Sequence, residues 1–415
     1  MAGLNETPKG DRVHIAFFGL RNAGKSTLVN KLTGQDVAIV SDVAGTTTDP
    51  VSKAMEILPL GPCLVTDTAG LDDEGPLGEM RVKKSLEVLA TTDIAVWVDE
   101  CAATSAAPPA EPPPAVSPAG GAALVAAHDG PAYARFLAAC RARDIAVLHY
   151  RRGDDVDAFR RELAAVHLAD APHPLVSDLV QAGDIVVCVC PIDESAPKGR
   201  LILPQQQVVR ELLDAGAAAL VCQPPQLKDI LAQVKRQECR FPEGRDSGVK
   251  FVITDSQAFK AVAAVVPPEI PLTSFSIVFA RAKGDLAAYC AGAAALATLK
   301  DGDRVLISEG CTHHRQCNDI GTVKLPKWIS AKTGKELSFE WTSGNAFPED
   351  LSPYALVVHC GGCMLTRRAV QARIARCRAA GVPITNYGVC IAACHGITAS
   401  PDTCMVREGR APARP

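Results

Sequence analysis

The chain has 415 residues, of which 47% are hydrophobic and 21% charged, and its formal net charge is −3. This length exceeds one ordinary hydrophobic core and predicts two or three domains. The small negative charge gives no electrostatic footprint for nucleic acid or an anionic membrane, and no apolar run is long enough to span a bilayer. The N-terminus has no apolar signal core, so we expect a cytoplasmic protein with neither membrane nor nucleic acid as a partner.

A glycine-rich loop follows the first predicted strand. Residues 13–18 form an apolar run, 19–26 read Gly-x-x-x-x-Gly-Lys-Ser, and 25–32 have the pattern of a helix. The backbone N–H groups of such a loop surround a nucleotide β-phosphate, the lysine adds positive charge, and the serine hydroxyl binds Mg²⁺. A coincidental glycine turn is the alternative, which the strand–loop–helix context disfavours. The candidate nucleotide-binding residues are Gly19, Asn22, Ala23, Gly24, Lys25, Ser26 and Thr27, with Lys25 also catalytic and Ser26 a Mg²⁺ ligand.

Two further segments complete the predicted nucleotide site. Asp67 follows the predicted strand 63–66, where a carboxylate would meet Mg²⁺ through water, and the N–H of Gly70 could reach the γ-phosphate. Between the glycine loop and Asp67, the threonines of 46–48 are typical of a switch loop that closes on Mg²⁺. We therefore add Thr46 and Thr47 to the nucleotide-binding residues.

Over roughly residues 12–99 the chain resembles the TrmE–Era GTPases, which are related to translation factors. The resemblance implies that Thr47 is a catalytic Mg²⁺ ligand and that Asn22 matches the P-loop asparagine of potassium-dependent relatives. Leu71 stands where Ras-like enzymes have a water-orienting glutamine. Hydrolysis should then be slow, or depend on K⁺ and another carboxylate. Glu79 is the candidate for that carboxylate, although an exposed glutamate on a switch helix is the plainer interpretation.

The guanine-binding motif of that family is altered here. The family's Asn-Lys-x-Asp should follow the predicted strand 145–149, where this chain has Arg151-Arg152-Gly153-Asp154. Asp154 keeps the carboxylate that would accept from guanine N1–H and N2–H. Asp154 is therefore the predicted base-binding residue, and guanine preference rests on the family resemblance.

The rest of the chain predicts further α/β units. Residues 102–121 are almost all alanine, proline and glycine and predict a flexible insertion within a first domain of residues 1–170. Alternating strands and helices predict a small module at 175–265 and a third unit at 269–415. The predicted fold class is α/β, with three domains that are each a mostly parallel sheet with flanking helices, the first a P-loop GTPase fold.

The sixteen cysteines are densest after residue 310. Cys311-Thr312-His313 follows one predicted strand and His359-Cys360-Gly361-Gly362-Cys363 follows another, which brings five potential ligands to adjacent strand ends. Thiolates select Zn²⁺ or iron–sulfur clusters, and a closed structural zinc site is the plainer alternative.

Three features in this order resemble the HydF family, the GTPase and scaffold of FeFe-hydrogenase maturation: the P-loop, the segment 196–207, and Cys-x-His…His-Cys-x-x-Cys. The resemblance covers nearly the whole chain. It implies that Cys311, Cys360 and Cys363 hold a 4Fe-4S cluster, with His313 or His359 as a possible fourth ligand. It also implies GTP or GDP, Mg²⁺ and K⁺ as cofactors and dimerisation through the middle module. The implied function is to assemble or deliver a diiron precursor, with apo FeFe-hydrogenase and the radical-SAM maturases as partners.

Two alternatives remain open at this point. One is an RNA-associated TrmE–Era-type GTPase with a structural zinc module, which the lack of a basic stretch disfavours. The other is a degenerate GTPase with structural zinc and a purely scaffolding role, which the altered guanine motif favours.

Overall fold

The computed structural model describes residues 7, 9–33, 51–58, 60–73, 75–99, 130–166, 173–192, 199–236, 248–310, 319–344, 346–399 and 405–408. The chain divides into two compact units, Met1–Ala171 and Pro172–Pro415. Within the described residues no helix is both long and apolar enough to cross a membrane. The predicted insertion at 102–121 lies outside the described residues.

The first unit is a five-stranded sheet in the order β2-β3-β1-β4-β5, parallel except that β2 runs antiparallel to β3. Its central strand alternates between two apolar clusters: Ile15 and Phe17 pack on one face, Ala16 and Phe18 on the other. Helices therefore cover both faces, as in other parallel sheets. The elements are β1 Val13–Gly19, α1 Lys25–Thr33, β2 Val51–Ile57, β3 Gly61–Asp67, α2 Gly75–Val88, β4 Ile94–Asp99, α3 Pro131–Arg141, β5 Ala146–Arg151 and α4 Val156–Ala164.

The second unit begins with a parallel sheet and then continues into a second one. The order of the first sheet is β14-β15-β9-β8-β6-β7, with β6 to β9 parallel and β15 antiparallel to both β9 and β14. The last described strand thus returns to a sheet that starts far earlier in the chain, with Val406 paired to Leu272. The elements are β6 Ile185–Val189, α5 Leu203–Asp214, β7 Ala218–Cys222, α6 Leu227–Arg236, β8 Val249–Thr254, α7 Phe259–Ala263, β9 Leu272–Ser274 and α8 Phe275–Lys283, with β14 Ile397–Ala399 and β15 Val406–Glu408.

The other sheet of this unit has four parallel strands in the order β11-β10-β12-β13. Gly292 on α9 lies against β13 so closely that a Cβ there would stand 1.9 Å from the carbonyl oxygen of Ile384. The elements are α9 Leu286–Ala294, β10 Arg304–Ser308, α10 Leu325–Thr333, β11 Ser338–Thr342, β12 Leu356–His359, α11 Arg367–Ala379, β13 Ile384–Asn386 and α12 Tyr387–Cys394.

The α/β class with three mostly parallel sheets is confirmed. The two sheets of the second unit share one continuous apolar core, whose buried residues run along the chain from Leu175 to Ile397. The division at about residue 267 into two separate domains stays a prediction. The strands β14 and β15, which join the C-terminal residues to the middle sheet, were not predicted.

Candidate functional site: the nucleotide loop and the cysteine motif

The glycine loop lies between β1 and α1 and turns on residues with positive φ. Asn22 has φ 64° and Gly24 has φ 95°, while the N–H of Ala23 donates to the carbonyl of Leu20 at 3.3 Å. Gly19 passes so near β4 that a Cβ would lie 2.4 Å from the Val98 carbonyl oxygen. Backbone conformations of this kind turn successive N–H groups toward one concavity that binds anions.

Lys25 is the first residue of α1 and is only 7% exposed. Its Nζ donates to the carbonyls of Leu20 at 2.7 Å and of Gly19 at 3.3 Å, so the ammonium is fixed at the loop. Burial lowers the pKa of Lys25, and the nearby negative charge of Asp67 opposes that effect. The loop therefore carries a buried positive charge, as a phosphate site requires.

Asp67 ends β3 and faces Ser26 of α1. The hydroxyl of Ser26 donates to Asp67 Oδ2 at 2.5 Å, and Asp67 is 2% exposed. Its other oxygen, Oδ1, is buried and has no hydrogen-bond partner among the described residues. Burial raises the pKa of Asp67, whereas the Ser26 hydrogen bond and the Lys25 charge lower it. A buried carboxylate oxygen without a partner, next to a hydroxyl, suits the all-oxygen coordination of Mg²⁺.

The segment after Asp67 is tied to the glycine loop. Thr68 Oγ1 donates to the Phe17 carbonyl at 2.7 Å, and the N–H of Leu71 donates to the Gly19 carbonyl at 3.2 Å. A Cβ on Gly70 would stand 2.9 Å from the backbone nitrogen of Arg21. Only glycine fits between the two segments, so residues 67–71 pack directly against the loop.

The structure places Asp154 in a tight turn after β5. Its Oδ2 accepts from the N–H of Arg151 at 2.9 Å, and its N–H donates back to the Arg151 carbonyl at 2.9 Å. The side chain of the intervening Arg152 lies over the glycine loop, its Cδ 3.6 Å from the position of a Cβ on Gly24. From the sequence, Arg152 is only a departure from the family motif. The one sequence feature that could have indicated its position over the loop is its spacing of two residues from Asp154.

The described part of the predicted nucleotide site is thus brought together at one edge of the sheet. Glu79 lies on α2 with its side chain exposed, and Thr27 is exposed in the first turn of α1. Thr46 and Thr47 lie outside the described residues. The individual nucleotide, Mg²⁺ and catalytic assignments stay predictions. The residues assembled at the loop are Gly19, Asn22, Ala23, Gly24, Lys25, Ser26, Asp67 and Gly70.

The Cys-x-x-Cys motif follows β12. The end of β12 pairs with the end of β10, with His359 opposite Ser308. Cys360 Sγ accepts hydrogen bonds from the N–H of Gly310 at 3.0 Å and of Gly362 at 3.4 Å. Burial raises the pKa of the Cys360 thiol, and both N–H bonds oppose this by favouring the thiolate. The expected meeting of two strand ends is confirmed for these residues.

Cys311, His313 and Cys363 are the other predicted ligands of this motif. Cys311 and His313 lie outside the described residues, although Gly310, which precedes Cys311, touches the Cys360 sulfur. Cys363 is partly exposed, and its carbonyl accepts from Lys283 Nζ at 3.4 Å. Among the described residues no three His, Cys, Asp or Glu side chains are grouped to hold a metal ion. A cluster on Cys311, Cys360 and Cys363 stays a prediction, and the N–H···S bonds at Cys360 are consistent with it.

His359 is fully buried, and both of its ring nitrogens are engaged. Nδ1 lies 2.7 Å from the Cys360 carbonyl oxygen, and Nε2 lies 3.0 Å from Nη1 of Arg373. A guanidinium can only donate, so Nε2 accepts and Nδ1–H donates. Burial, followed by the charge of Arg373, lowers the pKa of His359 to about 3. This arrangement leaves no free lone pair and disfavours His359 as the fourth ligand.

A strand, a glycine loop with Lys25 and Ser26, and a carboxylate at Asp67 define the N-terminal unit as a P-loop GTPase domain, and residues 14–111 match the family described as 50S ribosome-binding GTPase. Residues 175–284 match the hydrogen maturase F dimerization domain, and residues 287–400 match the hydrogen maturase F tetramerization domain. The chain belongs to the hydrogen maturase F (HydF) family, as the sequence resemblance predicted.

Curated relatives match the GTPase region. The tRNA modification GTPase MnmE of Methylobacterium sp. is 37% identical over 114 residues, 26% of this chain and 26% of the relative. GTPase Der of Xylella fastidiosa is 44% identical over 90 residues, 21% of this chain and 19% of the relative. The chain thus spans about a fifth to a quarter of the length of these relatives. A solved structure of Aquifex aeolicus Era bound to GDP.AlF4- aligns at 15% identity over 80% of this chain and 92% of that chain, with a TM-score of 0.24.

Proposed function

We propose that this protein binds GTP, hydrolyses it slowly, and acts as a scaffold that holds a 4Fe-4S cluster and assembles or delivers the diiron precursor to apo FeFe-hydrogenase. The observation that carries the proposal is Cys360, whose sulfur accepts two backbone N–H groups where β10 and β12 end, in a chain with two HydF domain matches. The GTPase domain supplies the switch, and the cysteine motif supplies the cargo site.

The nucleotide half of the proposal rests on the P-loop. The backbone N–H groups after Gly19 bind the β-phosphate, Lys25 neutralises the phosphate charge, and Ser26 with Asp67 holds Mg²⁺. Leu71 is 2% exposed and cannot orient a water molecule, which supports slow hydrolysis. We assign stimulation by K⁺ to Asn22 and the catalytic carboxylate to Glu79.

The metal half of the proposal rests on the cysteines. Cys311, Cys360 and Cys363 would hold the 4Fe-4S cluster and leave one iron for an exchangeable ligand, which a carrier needs in order to accept and release an iron fragment. The N–H groups of Gly310 and Gly362 stabilise negative charge on the Cys360 sulfur. His313 remains the histidine candidate for the fourth ligand.

The oligomeric state and partners belong to the same proposal. One edge of the middle sheet is β7, where Val221 is 46% exposed, and the matched family is described as a dimerization domain. An open edge can pair with a second copy, so we propose a homodimer. The protein would act in the cytoplasm with apo FeFe-hydrogenase and the radical-SAM maturases.

The experiment that tests this function is electron paramagnetic resonance (EPR) of the anaerobically reconstituted, dithionite-reduced protein beside Cys360→Ala and Cys363→Ala. We expect a 4Fe-4S signal in the parent that both substitutions abolish, and GTP binding that neither alters. A parent with tightly bound zinc and no iron signal would instead favour a GTPase with a structural zinc module.

A further inference from the structure

A guanidinium is buried next to the cysteine motif, and no carboxylate of the described residues pairs with it. Arg373 on α11 is 5% exposed. Its Nη1 donates to His359 Nε2 at 3.0 Å and Ser308 Oγ at 3.2 Å, and its Nη2 donates to the Gly344 carbonyl at 2.6 Å. These three acceptors are all uncharged. Within the described residues the structure gives Arg373 no ion pair.

This absence matters because an uncompensated buried charge is costly. Arginine keeps its proton in proteins, so it cannot escape the cost by neutralising. Hydrogen bonds to neutral acceptors reduce the penalty without supplying a counter-charge. A charge retained at such a depth therefore indicates that an anion belongs next to it.

The contacts of Arg373 point to where that anion lies. Ser308 is the last residue of β10, and His359 is the last residue of β12. Arg373 Nη1 joins the ends of the two strands that precede the two halves of the cysteine motif. His359 connects Arg373 to the cysteine motif, because its Nδ1–H donates to the carbonyl of Cys360 at 2.7 Å.

We propose that Arg373 is a positioning residue of the cysteine site: it holds the ends of β10 and β12 together through Ser308 and His359 and is the buried counter-charge for the anionic thiolate-bound cluster. His359 is then a relay between Arg373 and Cys360 and is not a cluster ligand. This inference rests on the proposed cluster. It adds to that proposal the residue, Arg373, whose charge and hydrogen bonds stabilise the site.

The same helix offers a matched control. Arg376 lies three residues further along α11 and, like Arg373, stacks on the ring of Phe347, at 5.1 Å compared with 5.2 Å. It donates to the carbonyl of Pro348, and within the described part of the chain Ser308 and His359 are bonded by Arg373 instead. Arg376→Gln therefore removes a positive charge and the same ring contact while keeping the hydrogen bonds of Arg373 to Ser308 and His359.

The test uses full-length protein reconstituted anaerobically with iron and sulfide. Iron content, EPR spectra and midpoint potential are measured for the parent, Arg373→Gln, Arg373→Lys and Arg376→Gln. A nearby positive charge favours the reduced, more negative cluster. We therefore expect a more negative potential in Arg373→Gln only, with the parent potential retained in Arg373→Lys and Arg376→Gln. Equal potentials in Arg373→Gln and Arg376→Gln would overturn the counter-charge role.

Folding of the glutamine variant is checked by circular dichroism. Should it fail to fold, Arg373→Lys tests the counter-charge role, since it keeps the charge without the planar fork. A cluster at the parent potential is expected there, and a potential shifted well below that of the parent would overturn the counter-charge role. A parent that takes up no iron refutes the proposed function itself, whereas a normal parent cluster with unchanged variants refutes this inference alone.

The role of His359 has its own readout. His359→Asn is compared with the parent by pulsed EPR, which detects nitrogen bound to the cluster. We expect the cluster to form in His359→Asn and the nitrogen couplings to stay the same. Disappearance of a strongly coupled nitrogen in that variant would make His359 a ligand and overturn its role as a relay.

Discussion

Replacing Asp67 by asparagine tests the Mg²⁺ site directly. Asparagine keeps one carbonyl oxygen that can accept from Ser26, but it puts an NH₂ group where Oδ1 lies buried without a partner. Donor hydrogens would then face the cation, and the negative charge that attracts it is lost. Losing a group of this kind next to a metal costs about 10–100-fold in affinity, or about 1.4–2.8 kcal/mol.

The assay is a Mg²⁺ titration of fluorescent GTP-analogue binding at constant K⁺ concentration. We expect the Mg²⁺ midpoint of Asp67→Asn to rise by about 10–100-fold, while binding without Mg²⁺ changes little. Asp157→Asn is the control, because Asp157 is an exposed carboxylate on α4 that pairs with Arg160. Equal Mg²⁺ midpoints in Asp67→Asn and the control would refute the reasoning from the unpartnered oxygen.

Four further predictions follow from the geometry. Glu79→Gln should slow GTP hydrolysis by about 10²-fold without weakening GTP binding, and equal turnover in this variant and in Glu87→Gln on the same helix would remove Glu79 from the mechanism. Arg152→Ala should weaken GTP binding about 5-fold at low salt, because a positive charge leaves the glycine loop; a loss that persists unchanged in high salt would contradict this electrostatic reason. The pKa of His359 is about 3 in the folded chain against 6.5 ordinarily, so the unfolded chain binds the proton first and stability falls as pH drops below 6.5, by about 2 kcal/mol at pH 5 from this group; urea unfolding of His359→Asn should show a smaller fall than the parent, because His14 and His395 also have lowered pKa values. Gly292→Ala should lower the free energy of unfolding by about 1–3 kcal/mol or more, because its methyl group would overlap a β13 carbonyl, and an unchanged urea midpoint would mean that α9 can move away.

Local patterns predicted the parts of the site that lie close together in sequence. The loop from Gly19 to Ser26 and the strand before Asp67 are visible because phosphate binding needs small residues at fixed spacing. The ends of β10 and β12 were expected to meet because parallel strands place their carboxyl ends at one edge. The Gln205 side chain caps the start of α5, where it accepts from the N–H of Ile202 at 3.0 Å.

The features that could not be predicted from the sequence depend on contacts between residues far apart in the chain. His359 is predicted as a possible ligand from the motif, but its burial and its contact with Arg373, which lies a helix away in the chain, cannot be read from that motif. In the sequence, Arg152 is only an altered residue of a guanine motif. The structure shows that the turn at Asp154 brings its side chain over Gly24. A three-residue strand such as β15 has no periodicity of its own, so its pairing with β9 had no local signal.

The pairing of β15 with β9 can form only late in synthesis. On a ribosome, β6 to β9 emerge well before β15, so the β9 side of the middle sheet stays unpaired until residue 406 has been made. Open edges recruit other strands and promote aggregation. An expression fragment cut at residue 284, where the dimerization match ends, would carry that edge permanently. Because β15 pairs with β9 at Val406 and Leu272, we expect a fragment of the middle module to become more soluble when residues 405–408 are supplied in trans or by circular permutation. A fusion partner is better attached at the N-terminus than in place of β15.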